Sequence, residues 1–393
     1  MIASIYIHVP FCATTCDYCD FYSIKVKPND KCLDFFIKKI LEDFEVIINI
    51  YKIKNIPTLY FGGGTPSLLG AQRISYFLHS INSLITAYSI SSPYEITLEA
   101  NPEHCDEVFL KAAKESGINR LSIGVQSFNE ASRKAVNRAG QGRVLHDKLE
   151  TIAEYYSENS SNSFSIDLIS GLPFQNEKDL IEDINRILEF KPCHISLYQL
   201  TVDPSTSLGK HSAANQVQLP SKDKADRLWL LGRDKIEEAG LRQYEVSNFS
   251  LPGKESLHNL RYWHMQNWIG LGPAASSTLI NDETGTGIRI TNNADFIMWL
   301  ERKTGIKAPS NIENLNTQEL IKETFLMGFR LLDGPDITLF KQRFNKNIEE
   351  IIPKTINSWR SKGLFTQERI SLTKDGLLFL NSFLIEAFEE MSN

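Results

Sequence analysis

SIYIHVPFCATTCDYCDF, residues 4–21, joins a short apolar run to three cysteines packed within eight residues. The run 4–9 reads as a strand. Cys12, Cys16 and Cys19 follow it in a polar loop with the spacing C-x3-C-x2-C, and they are half of the chain's six cysteines. Thiols buried only for packing do not usually gather in a polar loop, and neighbouring thiolates repel one another unless a metal offsets their charge. Structural zinc closes with four ligands. Here there are three, no partner pair appears downstream, and His8, a fourth donor in principle, lies on the strand. Iron–sulfur clusters also take closely spaced thiolates, usually four, so three leave one iron open. Cys32, Cys105 and Cys193 are isolated and read as small core or surface residues.

Working outward, strands and helices alternate. After 4–9, strands are expected at 58–61, 94–100, 120–125, 164–169 and 194–200. Helices are expected at about 32–51, 71–83, 106–116, across 130–157, and at 177–189, where apolar residues recur at helical spacing. Six β-α units imply a parallel sheet covered by helices, either an open doubly wound sheet or a partial barrel. In both, the ligand site lies at the C-terminal ends of the strands. That rule gathers the cysteine loop, the Gly62-Gly63-Gly64-Thr65-Pro66 turn, Glu99 to Asn101, Gln126, Asp167, Tyr198 and Gln199 at one rim. The glycines let a backbone approach a ligand closely, or simply make a tight strand-to-helix turn. Asp167, a carboxylate in the apolar run FSIDLI, needs a ligand, a cation or donors, and Arg138 is a candidate ion-pair partner.

Beyond residue 200 the pattern loosens. A helix is expected at 222–239, then an irregular aromatic stretch at 243–272. KAPSNIENLNT (307–317) reads as a linker. The helical tail closes with GLFTQERISLTKDG (363–376), two short β segments around a turn in a winged-helix-like layout. It is expected to act as a lid or docking module over the open rim. The expected division is 1–215, the partial barrel; 216–305, a barrel extension; and 306–393, the smaller, mostly helical C-terminal domain.

The leading residues MIASIYIHVPF lack the basic lead and small-residue cleavage site of a signal peptide, and no run suits a membrane span. The expectation is a cytoplasmic protein that is not integral to a membrane and keeps its thiols reduced, which makes a disulfide framework a poor reading. A net charge of −6 argues against nucleic acid as the main partner, since that calls for a basic face.

The C-x3-C-x2-C loop, with Tyr18 before its last cysteine, resembles the radical S-adenosylmethionine superfamily. The resemblance implies an α/β fold, a partial (β/α)6 barrel, with a 4Fe–4S cluster on Cys12, Cys16 and Cys19. It implies S-adenosylmethionine on the fourth iron, cleaved by an electron from the cluster to a 5′-deoxyadenosyl radical. YIHVPFC (6–12), CDYCDFYS (16–23), YFGGGTPSLL (60–69), EANPE (99–103), SIGVQSF (122–128), DLISGLPFQ (167–175) and HISLYQLT (194–201) narrow this. Together they resemble the oxygen-independent coproporphyrinogen III oxidase group, and more closely its heme-chaperone branch, from residue 6 to the C-terminus.

That likeness implies that Gly63, Gly64 and Thr65 contact S-adenosylmethionine. Glu99 suits its ribose hydroxyls or ammonium. Tyr6 and Tyr18 sit beside cluster and adenine, or form aromatic core. Gln126, Arg138 and Asp167 match positions that bind a second S-adenosylmethionine in the oxidase. The oxidase adds a cysteine two residues after the third, where this chain has Phe21, and a longer segment ahead of the motif. HNLRYW (258–263) resembles the chaperone branch's H-N-x-x-Y-W motif, which makes His258 a candidate heme ligand, with His264 as rival. The implied function is heme binding and transfer to an acceptor hemoprotein. The alternative is an anaerobic oxidoreductase of the coproporphyrinogen dehydrogenase type.

Overall fold

The computed structural model describes residues 1–156, 162–302 and 311–392. The six expected strands form, as β1 (Ser4–Val9), β2 (Thr58–Gly63), β3 (Glu95–Ala100), β4 (Arg120–Gln126), β5 (Ser163–Ser170) and β6 (His194–Gln199). They lie side by side in chain order and pair in parallel. A doubly wound sheet reverses its order at a switch point. This one never does, so the partial barrel is the fold. The intervening helices, among them Cys32–Tyr51, Gly70–Ala87, Glu107–Glu115 and Glu177–Glu189, cover its outer face.

The strands obey a strict alternation. Ile5, Ile7, Val9, Leu59, Phe61, Ile96, Leu98, Leu121, Ile123, Ile166, Leu168, Ile195 and Leu197 share one apolar core with the helices. The residues between them line the lumen, and those on neighbouring strands hydrogen-bond there. Thr58 donates to Ser4 at 2.8 Å, Tyr60 to Glu99 at 2.8 Å and Ser122 to Asp167 at 3.0 Å. Parallel strands buried on both faces normally read as continuous apolar runs. A polar inner face therefore marks the lumen as a place for ligands rather than packing.

The stretch expected to be irregular adds structure. β7 (Trp268–Leu271) joins β1 in parallel on the far side, and β8 (Ser276–Asn281), β9 (Thr286–Thr291) and β10 (Asn311–Leu315) continue the sheet antiparallel. Residues 311–315, read above as linker, are thus an edge strand. Residues 316–317 of that reading cap and open the helix Thr317–Gly328, and 307–310 and the 305/306 division lie outside the described residues.

The tail is helical, with a second apolar core around Phe325, Phe329, Phe340, Trp359 and Phe383. Its expected wing reduces to one antiparallel bridge, Phe365 to Leu372. Its expected position over the open rim is overturned. Its core includes Met265 and Trp268, and Trp268 pairs with Ser4 at the start of β1. Arg343 donates to the Met265 carbonyl at 3.0 Å. The tail therefore packs under the N-terminal end of the barrel, because the apolar face left free lies there. No helix among the described residues is long and apolar enough to cross a membrane.

Candidate cofactor site at the barrel rim

The cysteine loop leaves β1 and is pinned at both ends. Phe11–Cys12 pairs in parallel with Ile24–Lys25 and closes its base. The backbone N–H of Asp17 donates to Val136 at 2.9 Å, and Asn137 donates to the Thr15 carbonyl at 3.0 Å. This second clasp depends on Arg133, a buried guanidinium that donates to the Val125 and Ser127 carbonyls at 2.8 and 2.9 Å and to Gly140 at 3.3 Å. Arg133 curls 136–140 back over the strands and delivers Arg138, whose Nη1 stands 3.6 Å from Cys16 Sγ and whose Nη2 donates to the Gly124 carbonyl.

One cavity of about 360 Å³ collects most of the expected site residues; Tyr6, His258 and its rival His264 do not line it, nor do Gly62, Pro66 and Gln199 of the expected rim. Cys12, Cys16, Cys19 and Tyr18 line one wall; Gly63, Gly64 and Thr65 a second; Glu99, Gln126, Arg138 and Asp167 the floor and far wall. A larger surface groove of about 620 Å³ beside Arg73 and Tyr76 holds none of them, so volume alone is a poor guide to the chemistry. Gln126 enters because a bulge between Gly124 and Gln126 turns it off the strand at φ +71°.

The turn after β2 is a cradle that only glycine allows. Gly63 has φ +106°, and a Cβ on it would meet the His8 ring at 2.4 Å. Glu99 is held between two donors, Tyr60 Oη at 2.8 Å and the Gly63 N–H at 3.0 Å. Burial, reinforced by Asp167, still lifts its carboxyl to about 7. Burial raises Asp167 as well. Among buried polar atoms without a hydrogen-bond partner, Gln126 Oε1, Arg138 Nε, Asp167 Oδ1 and Asn101 Oδ1 belong to this cavity. Four such atoms around one void are a ligand-shaped deficit.

Tyr6 and His258 lie elsewhere. Tyr6, half-buried, lies between the Tyr60 ring, 6.0 Å away, and His8, whose Nδ1 is 3.0 Å from its hydroxyl. His8 spends its other nitrogen on the Tyr22 carbonyl at 2.9 Å, so it braces the cysteine loop and is not a fourth ligand. His258, 1% exposed, sits at the opposite end of the lumen, with Nδ1 2.8 Å from Thr58 Oγ1 and Nε2 3.0 Å from Tyr262 Oη. His264 faces a small crevice lined by Trp263, Asp336 and Phe340, away from the cavity. Sequence reasoning passed over Tyr60, Ser122 and Arg133. The period-2 alternation in all six strands carried the signal for the first two.

Residues 6–187 match the family model of the radical SAM superfamily, and 315–379 that of the HemN C-terminal domain. Proteins called heme chaperone HemW are similar over nearly the whole chain. That of Lactococcus lactis is 32% identical, over 95% of this chain and 94% of the relative. That of Buchnera aphidicola from Acyrthosiphon pisum is 34% identical, over 97% of each. The chain belongs to the HemW family. That of Escherichia coli K12 is 30% identical over 97% of each. The solved structure of E. coli coproporphyrinogen III oxidase, HemN, superposes with a TM-score of 0.80 at 19% identity, over 98% of this chain and 89% of that one, and shows the shared fold.

Membership of the radical SAM superfamily implies a 4Fe–4S cluster and S-adenosylmethionine, and the HemW-family cavity fits both. Its three cysteines are free thiols on one wall. No three His, Cys, Asp or Glu among the described residues stand close enough to hold a single metal ion. Thiolates that bind different irons of one cluster have no need to converge on a point. Burial pushes Cys12 up and Cys19 to about 11, so both stay protonated until a metal binds. Thr65 and Arg138 already direct donors at the Cys12 and Cys16 sulfurs.

Proposed function

We propose that this chain binds heme and passes it to an acceptor hemoprotein, on a scaffold that holds a 4Fe–4S cluster and S-adenosylmethionine. Cys12, Cys16 and Cys19 would hold the cluster. Gly63, Gly64, Thr65 and Glu99 would receive S-adenosylmethionine, the turn by backbone approach and Glu99 by its carboxylate. The cluster, when bound, supplies an electron for reductive cleavage of S-adenosylmethionine. The chain's own part is to orient the cofactor and to exclude water, with the Arg138 guanidinium offsetting thiolate charge at Cys16.

The observation that carries the heme reading is Phe21. At the position of the oxidase's additional thiol, this chain puts a phenyl ring on the cavity wall that is 64% exposed. A flat apolar side chain left in water at the mouth suits stacking on a porphyrin face, not cluster ligation. The cavity's size agrees. About 360 Å³ is near the lower end for ligand sites, roughly 300–1,000 Å³, and leaves no room for a tetrapyrrole beside the cluster and S-adenosylmethionine. Heme would then lie at the mouth. The names of the HemW relatives support the same reading.

The unpartnered Asp167, Arg138 and Gln126 favour a second reading, an anaerobic oxidoreductase acting on coproporphyrinogen III. A heme titration of the anaerobically reconstituted protein, followed in the Soret region, separates the two. Saturable, stoichiometric binding is expected, together with no conversion of coproporphyrinogen III in the presence of S-adenosylmethionine and reductant. Non-saturating binding with conversion would reverse the assignment.

A further inference from the structure

The HNLRYW helix, Leu257–Trp263, lies beneath the cofactor cavity without lining it, and a column of rings joins the two. We propose that His258 is a positioning residue for the S-adenosylmethionine site, acting through Tyr60 on Glu99 and the glycine turn. This role rests on the reading that Glu99 and that turn receive S-adenosylmethionine.

The column can be followed atom by atom. The His258 ring stacks on Tyr60, with centroids 4.8 Å apart and planes 28° from parallel. Tyr60 Oη holds one Glu99 oxygen, and the other accepts the Gly63 N–H. The turn rests directly on this pair. A Cβ on Gly62 would stand 2.7 Å from Tyr60 Cε1 and 2.8 Å from Glu99 Oε1, so the backbone touches both. A shift of Tyr60 therefore moves the carboxylate and the turn together.

His258 is itself fixed from every side. Thr58 spends its hydroxyl proton on Ser4, so its oxygen accepts from Nδ1–H and Nε2 is left to accept from Tyr262. The imidazole is thus neutral, with both nitrogens engaged. From β3, Glu95 accepts the backbone N–H groups of Leu257 and His258 at 3.0 and 2.8 Å and seats the helix. Tyr262 stands edge-on to Trp268, in the tail's core, at 4.8 Å. One strand thereby carries both anchors. Glu95 at its start holds the helix, and Glu99, four residues on and on the same lumen face, meets the turn.

The test is equilibrium dialysis of S-adenosylmethionine against the anaerobically reconstituted protein and its variants, each also titrated with heme. His258→Ala removes the ring beneath Tyr60, and Tyr60→Phe removes the hydroxyl on Glu99 but keeps the stack. Each is expected to weaken S-adenosylmethionine about tenfold, the scale of one hydrogen bond to a charged group. The double variant should be no weaker than the poorer single, because both act through the same bond. His258→Phe, which restores a ring, should recover most of the affinity, and heme stoichiometry should stay unchanged throughout. His258→Ala with wild-type affinity, a double variant weakened about a hundredfold, or His258→Phe as weak as His258→Ala would each overturn the role. So would heme binding lost in His258→Ala while S-adenosylmethionine affinity holds. A wild-type protein that fails to bind S-adenosylmethionine removes the site reading itself, and this role with it.

Discussion

The two ends of the barrel lumen are built from the same residue types and differ in how their candidate ligand groups are satisfied. At the rim, Gln126, Arg138 and Asp167 each keep a buried polar atom with no partner. Around His258, Ser4, Thr58, Glu95 and Tyr262 satisfy one another. Leaving a buried donor or acceptor unpaired costs about 1–3 kcal/mol, so several gathered around one cavity are a deficit that a ligand would repay. Motif resemblance pointed to both ends as binding sites. Hydrogen-bond accounting separates the residues that resemblance singled out: Gln126, Arg138 and Asp167 lack partners, whereas both ring nitrogens of His258 have one, with Arg261 Nε and Trp263 Nε1 left unpaired on the same helix.

The largest effect expected lies at the rim. Cys16→Ala should reduce iron and sulfide after anaerobic reconstitution to background and remove the cluster's visible absorbance. Cys105→Ala, a fully buried thiol that lines no part of the cavity, should reconstitute normally. Undiminished iron in Cys16→Ala would break the contrast at its strongest point.

Much of this was legible in the sequence. The helices 32–51 and 177–189 and the strand 4–9 form where their periodicity puts them. The rim residues meet because the strands are parallel and the loops after them share one end. Three features needed the fold. WIGL (268–271) is too short to announce a strand and is held by its pairing with β1. The apolar run around Met265 and Trp268 gives no sign of which end of the barrel it faces, so the tail's position could not be read. HNLRYW looks like a ligand motif, yet its histidine is consumed by Thr58, a residue two hundred positions away.

A second effect is a pH dependence of opposite sign at the two ends, read from urea unfolding of the cluster-free protein. Glu99 is lifted from 4.5 to about 7, first by burial. The folded state therefore holds this proton more tightly than the unfolded chain. The contribution is fully present below about pH 4.5 and is lost as pH rises to about 7, by at most about 3 kcal/mol. His258 is lowered from 6.5 to about 3, first by burial and then by Arg261. Its contribution is present above pH 6.5 and is lost as pH falls toward 3. Glu99→Gln should remove the first dependence alone, so the variant gains stability relative to wild type as pH rises from 4.5 to 7. A flat difference across that range would show that the Glu99 carboxyl is not held in its neutral form.

The smallest effect is the sharpest probe of the His258 end. Tyr262→Phe keeps the ring edge-on to Trp268 and removes only the hydroxyl that donates to His258 Nε2. One lost hydrogen bond and one stranded acceptor should cost about 1–2 kcal/mol of unfolding free energy. The variant also frees the nitrogen that an iron ligand would need. If His258 bound heme iron, wild-type binding would first have to break this bond, and Tyr262→Phe would bind heme more tightly with an altered Soret band. If His258 only supports Tyr60, heme affinity and spectrum stay as in wild type while stability falls. The two roles thus predict different heme titrations from one substitution, because the Nε2 lone pair cannot both accept from Tyr262 and donate to a metal.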